Sequence, residues 1–213
     1  MSHSPSRRPA HKASTVFVVD DDPSVRQAVR ALLASVGHPV EAFQSAEEFL
    51  ARRNAADPGC LVLDVRLPEI SGLELQRRLN AAGDHIPVIF VTGHGDVPMC
   101  AQALKTGAVD FLLKPFREQE LLETVQAALR QDRVQRDDAS RLVRDLANYR
   151  SLTGREREIL HHVVAGKINK QIAAAIGISD VTVKIHRAQV MRKMGATSLA
   201  ELVRIADKIG APA

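Results

Sequence analysis

Three aspartates, a threonine and a lysine in the first half of the chain have side chains that could bind a metal ion and a phosphoryl group. They are Asp20, Asp21, Asp64, Thr92 and Lys114. Three carboxylates that lie close together repel one another unless a hard divalent cation lies among them, and oxygen ligands suit Mg²⁺. A lysine and a hydroxyl facing such carboxylates suit a transferring phosphoryl group, with one aspartate as the covalent nucleophile. If the fold brings them together, these residues predict a Mg²⁺ cofactor and phosphorylation of an aspartate.

Four of these residues, Asp20, Asp64, Thr92 and Lys114, directly follow short apolar runs. Five such runs occupy residues 16–19, 40–43, 60–63, 88–91 and 109–113, and segments with a helical period of apolar residues separate them. This alternation predicts an α/β fold class with a doubly wound, five-stranded parallel sheet. Ligands bind at the carboxyl ends of the strands of such a sheet, so the predicted fold places the four side chains in one crevice.

Helix start signals support the same fold. An N-cap is predicted at Asp22, followed by Pro23, and capping boxes are predicted at Ser45–Glu48 and Ser71–Glu74. Residues 117–148 predict one long, charged helix. From residue 152 onward the pattern predicts only short helices, which begin near Thr153, Ser179 and Ser198.

The chain has 213 residues, of which 45% are hydrophobic and 25% charged, as in globular proteins with packed cores. This length allows two small domains. We expect a disordered tail over residues 1–14, the sheet domain over 15–129, a helical linker over 130–150 and a small all-α domain over 151–213.

The two domains differ in charge. Residues 150–213 contain 11 Lys+Arg and 5 Asp+Glu, whereas residues 15–149 contain 15 and 20. A basic domain attached to an acidic one suggests that the former binds a polyanion, although a solvated surface is the alternative. No segment is apolar enough for a membrane span or a signal peptide, and the only two cysteines are Cys60 and Cys100. We therefore expect a cytoplasmic protein with neither disulfide framework nor zinc site.

The segment from Ser179 to Met194 predicts a helix with two different faces. Val183, Val190 and Met194 recur at core spacing, and a second face carries Val181, Lys184, Ile185, Ala188 and Arg192. Because the major groove of DNA is wide enough for one helix, the second face could meet thymine methyl groups, base acceptors and phosphates.

The order Asp20-Asp21, Asp64, Thr92, Lys114-Pro115 resembles the receiver domain of two-component response regulators over roughly residues 15–132. The spacings from Asp21 onward are 43, 28 and 22 residues. Residues 92–99 look like the FixJ branch of that family. The resemblance implies a flavodoxin-like fold in which Asp64 accepts a phosphoryl group from a sensor histidine kinase.

The same resemblance implies roles for the residues around Asp64. Asp20, Asp21, Asp64 and the backbone carbonyl of Arg66 would hold Mg²⁺, whereas Thr92 and Lys114 would contact the phosphoryl group. Thr92 and Phe111 would form the conformational switch, and the Lys114–Pro115 peptide would be cis.

Three segments, residues 152–160, 169–173 and 181–187, are similar in order and spacing to the LuxR-type helix-turn-helix. This resemblance implies a recognition helix at about residues 179–194. It makes Lys184, Ile185 and Ala188 candidates for base readout, and it places Lys170, Thr182, Arg187 and Arg192 nearer phosphates. Glu156 resembles an acid that holds the helices of this domain together.

Together these features identify the chain as a member of the NarL/FixJ type of response regulator. The resemblance implies a phosphorylation-dependent transcriptional regulator, an activator by the tendency of this branch, rather than an enzyme. Its expected partners are a sensor histidine kinase, promoter DNA and RNA polymerase. Phosphorylation would drive homodimerisation through residues 97–129, and residues 198–210 are a second candidate dimer contact.

Two other functions remain open on the residues alone. The same acid, hydroxyl and lysine set could turn over a phosphoester, as in a Mg²⁺-dependent aspartyl phosphatase or phosphotransferase. Alternatively, the chain could bind DNA independently of phosphorylation, with a receiver that controls only dimerisation.

Overall fold

The computed structural model describes residues 13–93 and 107–211, and it divides into two compact units, Met1–Gln135 and Arg136–Ala213. Most of the expected N-terminal tail lies outside the described residues. So do His94 to Met99 of the predicted FixJ-like stretch and residues 97–106 of the expected dimer face. No helix in the described part of the chain is long and apolar enough to cross a membrane.

The first unit contains a five-stranded, all-parallel sheet, as predicted. The strands are β1 (Thr15–Val19), β2 (Val40–Phe43), β3 (Gly59–Asp64), β4 (Val88–Thr92) and β5 (Asp110–Leu113). Their order across the sheet is β2-β1-β3-β4-β5. Because β1 and β3 are neighbours near the middle of this order, their carboxyl ends lie side by side.

The described helices of this unit are α1 (Pro23–Ser35), α2 (Ala46–Arg52), α3 (Gly72–Ala81) and the first part of α4 (Glu118–Arg150). Asp22 caps α1 by accepting from the backbone N–H of Ser24 at 2.8 Å, as predicted. Ser45 and Ser71 also cap their helices. The predicted boxes are only half formed, because Glu48 accepts from the N–H of Gln44 and Glu74 pairs with arginines of its own helix.

Apolar side chains cover both faces of the sheet. One face packs under α2 and α3, with Phe17, Phe49 and Phe90 at its centre. The other packs under α1 and the start of α4, with Leu33, Ile89 and Leu121 among its buried residues. Strands that are buried on both faces consist of continuous apolar residues. Their positions could therefore be predicted from the sequence.

A buried carboxylate attaches α4 to the sheet at the end opposite to the acidic residues. Asp132 is 3% exposed, and its Oδ2 accepts from the backbone N–H of Gly59, the first residue of β3, at 3.0 Å. The long helix is thus held to the first unit at least as far as Asp132.

The second unit contains the last part of α4 and four short helices. These are α5 (Gly154–Val164), α6 (Asn169–Ile176), α7 (Asp180–Met194) and α8 (Leu199–Lys208). Its core includes Ile159, Ile172, Val183 and Leu202, all fully buried. Gly177 ends α6 with a φ of +68°, a conformation that glycine adopts without steric cost, and so allows the tight turn into α7.

Glu156 connects two of these helices. It forms a capping box with Thr153 at the start of α5, and its Oε2 accepts from Lys193 Nζ of α7 at 2.6 Å. Its side chain is 2% exposed. The hydrogen bonds from Lys193 and Thr153 lower the pKa of this carboxyl. Glu156 therefore holds α7 against α5, as the sequence suggested.

We expect Gly72→Ala to destabilise the first unit by about 1–3 kcal/mol, the usual cost of overpacking. A Cβ at this first residue of α3 would lie 2.3 Å from the carbonyl oxygen of Asp64. Unfolding measured by calorimetry gives this change in the free energy of unfolding. Gly154→Ala is the matched control, because Gly154 is also the first residue of a helix and has no atom within 4 Å of its added Cβ. Equal stability of the two variants would contradict the packing argument.

We expect the second unit to lose stability in acid through Glu156. Because the folded-state pKa of this carboxyl lies below its usual value of 4.5, the stabilisation is complete above that value. It is lost as the pH falls through the folded-state pKa. Glu156→Gln should remove this part of the pH dependence and cost about 1–2 kcal/mol at neutral pH, in denaturant titrations. Glu158→Gln, which breaks an exposed ion pair with Arg155, should cost less than about 1 kcal/mol.

Candidate functional site

The predicted acidic residues meet at the carboxyl end of the sheet. Asp20 follows β1, Asp64 ends β3, and one carboxylate oxygen from each of Asp20, Asp21 and Asp64 lies within 4.8 Å of the others. Asp20 and Asp64 are buried, whereas Asp21 is exposed. Of all the described residues, these three form the only such cluster of potential metal ligands.

Lys114 lies among these acids. Its Nζ donates to Asp20 Oδ2 at 2.5 Å and to Asp64 Oδ2 at 2.7 Å. Its backbone N–H donates to the carbonyl of Thr92 at 2.8 Å, which holds the end of β5 beside the end of β4. The Lys114–Pro115 peptide bond is cis, as the resemblance implied.

The pKa values of these groups reflect burial and pairing. Burial raises the pKa of the Asp20 carboxyl, and the hydrogen bond from Lys114 only partly opposes this. For Lys114 burial lowers the pKa, but the hydrogen bonds to Asp20 and Asp64 outweigh it and leave the pKa raised. The lysine is therefore held as a cation between two acids.

The donor chemistry of this cluster suits a divalent cation. With Asp20, Asp21 and Asp64 ionised, one lysine neutralises only one of the three negative charges. The other oxygens of Asp20 and Asp64 accept from the backbone N–H groups of Asp22 and Arg66, at 3.0 and 2.9 Å. These bonds orient both carboxylates. The residues present thus fit the acidic triad that is typical of a Mg²⁺ site.

The remaining predicted residues lie around the same edge. Thr92 is the last residue of β4 and 1% exposed, and the preceding Val91 pairs with Asp64 in the sheet. Phe111, in β5, is half-buried and packs against the core under α2 and α3. Arg66 lies two residues after Asp64 with an exposed side chain. The roles of Thr92, Phe111 and the Arg66 carbonyl stay predictions.

Two features of this edge were not predicted. Arg26 of α1 donates from Nη1 to the backbone carbonyl of Asp20 at 2.6 Å and so supports the end of β1. A groove of about 330 Å³ beside Asp21 is lined by Glu47 and Glu69. The pKa of the Glu69 carboxyl is raised by its hydrogen bond with Glu47. No spacing in the sequence pairs these residues, because Glu47 lies in the first turn of α2, whereas Glu69 lies between β3 and α3.

The recognition helix predicted at residues 179–194 corresponds to α7, with Ser179 as its N-cap. Val183, Val190 and Met194 are at most 1% exposed and pack in the core. Lys184, Ile185, Ala188 and Arg192 are exposed. The helix therefore has one buried and one open face, as the sequence indicated.

The predicted phosphate contacts differ in their surroundings. Lys170 is exposed near the start of α6, and Thr182 Oγ1 shares a 2.8 Å hydrogen bond with Ser179 Oγ. Arg187 is half-buried and donates to Asn169 Oδ1 at 3.1 Å, so it connects α7 to α6. The DNA contacts of all these residues stay predictions.

Comparison with known families covers both units. Residues 16–126 match the family described as the response regulator receiver domain. Residues 150–206 match the bacterial regulatory proteins of the luxR family.

Curated relatives are similar to the chain along most of its length. The response regulator protein TodT of Pseudomonas putida is 47% identical over 203 residues, which are 95% of this chain and 89% of TodT. The transcriptional regulatory protein FixJ of Azorhizobium caulinodans is 47% identical over 202 residues, 93% of this chain and 94% of FixJ. These relatives are regulators, in agreement with the prediction that the chain is not an enzyme.

Solved structures agree with these relatives. The response regulator StyR matches with a TM-score of 0.81 and 47% identity, over 92% of this chain and 99% of StyR. Full-length FixJ from B. japonicum matches with a TM-score of 0.57 and 40% identity, over 92% of this chain and 97% of that structure. With its receiver acid pocket and its LuxR-type helix-turn-helix, the chain belongs to the NarL/FixJ type of response regulators and is a phosphorylation-regulated transcriptional regulator.

Proposed function

We propose that Asp64 accepts a phosphoryl group from a sensor histidine kinase and that this modification controls promoter binding by α7. The single observation that carries this proposal is the position of Lys114 Nζ, within hydrogen-bond distance of both Asp20 and Asp64. A fixed cation beside a carboxylate nucleophile is what a transferring phosphoryl group requires.

Each residue of the acidic site has its own role in the phosphoryl transfer. A carboxylate oxygen of Asp64 forms the new bond to phosphorus as the bond from phosphorus to the donor's imidazole nitrogen breaks, and that nitrogen keeps the electron pair. Asp20, Asp21, Asp64 and the Arg66 carbonyl would hold Mg²⁺, which would supply positive charge against that of the phosphoryl oxygens. Lys114 pairs with another phosphoryl oxygen, and the Thr92 hydroxyl donates a hydrogen bond to the group.

Phosphorylation then shifts a conformational equilibrium. It replaces the single negative charge of the Asp64 carboxylate with a phosphoryl group that carries about −1.5 to −2 charges, which attract Lys114 and the Thr92 hydroxyl. Movement of Thr92 leaves space into which Phe111 turns from its half-buried position. We infer that this favours a homodimer formed through residues 97–129, with residues 198–210 as a second contact.

The second unit reads the DNA. Lys184, Ile185 and Ala188 contact bases, and Lys170, Thr182, Arg187 and Arg192 lie near phosphates. Residues 130–150 link this unit to the receiver, 15–129, and the DNA-binding domain spans 151–213. The protein acts in the cytoplasm and influences RNA polymerase at the promoter. The exposed face of α7 supports this assignment.

Incubation with acetyl phosphate and Mg²⁺ should add one phosphoryl group to the wild type and none to Asp64→Ala, as intact mass spectrometry would show. Asp22→Ala is the matched control, because Asp22 caps α1 outside the triad, and it should still gain the group. Chelation of Mg²⁺ should suppress the adduct. A wild type that gains no group from acetyl phosphate or from a sensor kinase would instead favour a regulator that works without phosphorylation.

Lys184→Ala should weaken binding to the promoter by about 1–3 kcal/mol if Lys184 contacts a base, without changing phosphorylation of Asp64. Gel-shift titration at constant salt measures the affinity. Arg133→Ala is the control, since it removes one positive charge from an exposed position of α4 in the first unit. Unchanged affinity of Lys184→Ala would remove Lys184 from the readout.

A further inference from the structure

Two large apolar side chains are exposed on the open face of α7. Val181 is 68% exposed and Ile185 is 55% exposed, whereas Val183 and Val190 of the same helix are fully buried. Val181 and Ile185 are four residues apart, so they are neighbours on one side of the helix. Valine and isoleucine are also weaker helix formers than alanine, so helix formation does not explain their presence.

The DNA that the open face of α7 is proposed to bind offers few groups that could cover apolar side chains. Phosphates and the polar edges of bases offer no apolar surface. The C5-methyl group of thymine is the apolar group that a base pair presents in the major groove. Val181 is the second residue of α7, and N-terminal residues of a recognition helix contact base edges.

We propose that Val181, together with Ile185, reads thymine methyl groups and makes Val181 a specificity-determining residue. This inference rests on the proposed placement of α7 in the major groove. The two side chains lie about 6 Å apart along the helix, since each residue advances about 1.5 Å. Successive bases are about 3.4 Å apart, so the two thymines lie one or two base steps from each other.

Thymine-to-deoxyuridine replacement tests the proposal, because it removes only the methyl group. A binding site is first selected from a random duplex library with the full-length protein, with and without acetyl phosphate and Mg²⁺. Each thymine of that site is then replaced in turn. For each bound subunit, the wild type should lose about fourfold in affinity at one position for Val181 and at another for Ile185, the factor equivalent to about 0.8 kcal/mol for one buried methyl group.

Val181→Ala should abolish the deoxyuridine effect at one of these positions and leave the other unchanged. Ile185→Ala should do the reverse. Because alanine is the better helix former, neither change should lower the melting temperature measured by circular dichroism. Val143→Ala is the matched control, since Val143 is a valine of α4 with 69% exposure, and it should keep both effects.

The outcomes separate this inference from the proposed function. A selected site at which wild type and Val181→Ala respond equally to every deoxyuridine overturns the role of Val181 but leaves DNA binding intact. Failure to select any sequence overturns the proposed DNA contacts, and this inference with them. One effect that is lost only in Val181→Ala and another that is lost only in Ile185→Ala support the inference directly, whereas a single effect that is lost only in Val181→Ala supports the role of Val181 and overturns that of Ile185.

Discussion

The ion pairs of Lys114 with Asp20 and Asp64 are the interaction on which the receiver depends. Two carboxylates that are nearly buried at adjacent strand ends repel each other, and one ammonium within 2.5 and 2.7 Å relieves part of that repulsion. The arrangement leaves negative charge in excess, which a divalent cation can neutralise. In the proposed mechanism, a phosphoryl group on Asp64 changes this charge balance at its centre, and the motions of Thr92 and Phe111 follow from that change.

The surrounding fold keeps these charges in place. The N–H groups of Asp22 and Arg66 orient the carboxylates, and Arg26 supports the end of β1. Gly72 lets α3 start directly against the carbonyl of Asp64. At the other end of β3, Asp132 attaches α4 to Gly59. Strand β3 is therefore held in place at both of its ends.

The DNA-binding unit distributes its side chains differently from the receiver. Its core and the ion pair between Glu156 and Lys193 hold α7 in position, and the opposite face of α7 keeps both cations and apolar side chains in solvent. An exposed isoleucine and valine gain stability only when a ligand covers them. The receiver thus buries charged groups, whereas the second unit leaves cationic and apolar groups exposed on α7.

The sequence by itself determined the α/β class, the five strands, the caps of α1, α2 and α3 and the acidic set, because local periodicity and strand-end position encode them. It also indicated which face of α7 is buried. Tertiary structure alone decided that Lys114 bridges Asp20 and Asp64, that Glu47 meets Glu69, that Asp132 binds Gly59 and that Arg187 binds Asn169. These pairs join residues from separate elements, and no local pattern relates such residues, since only packing of the elements brings them within hydrogen-bond distance.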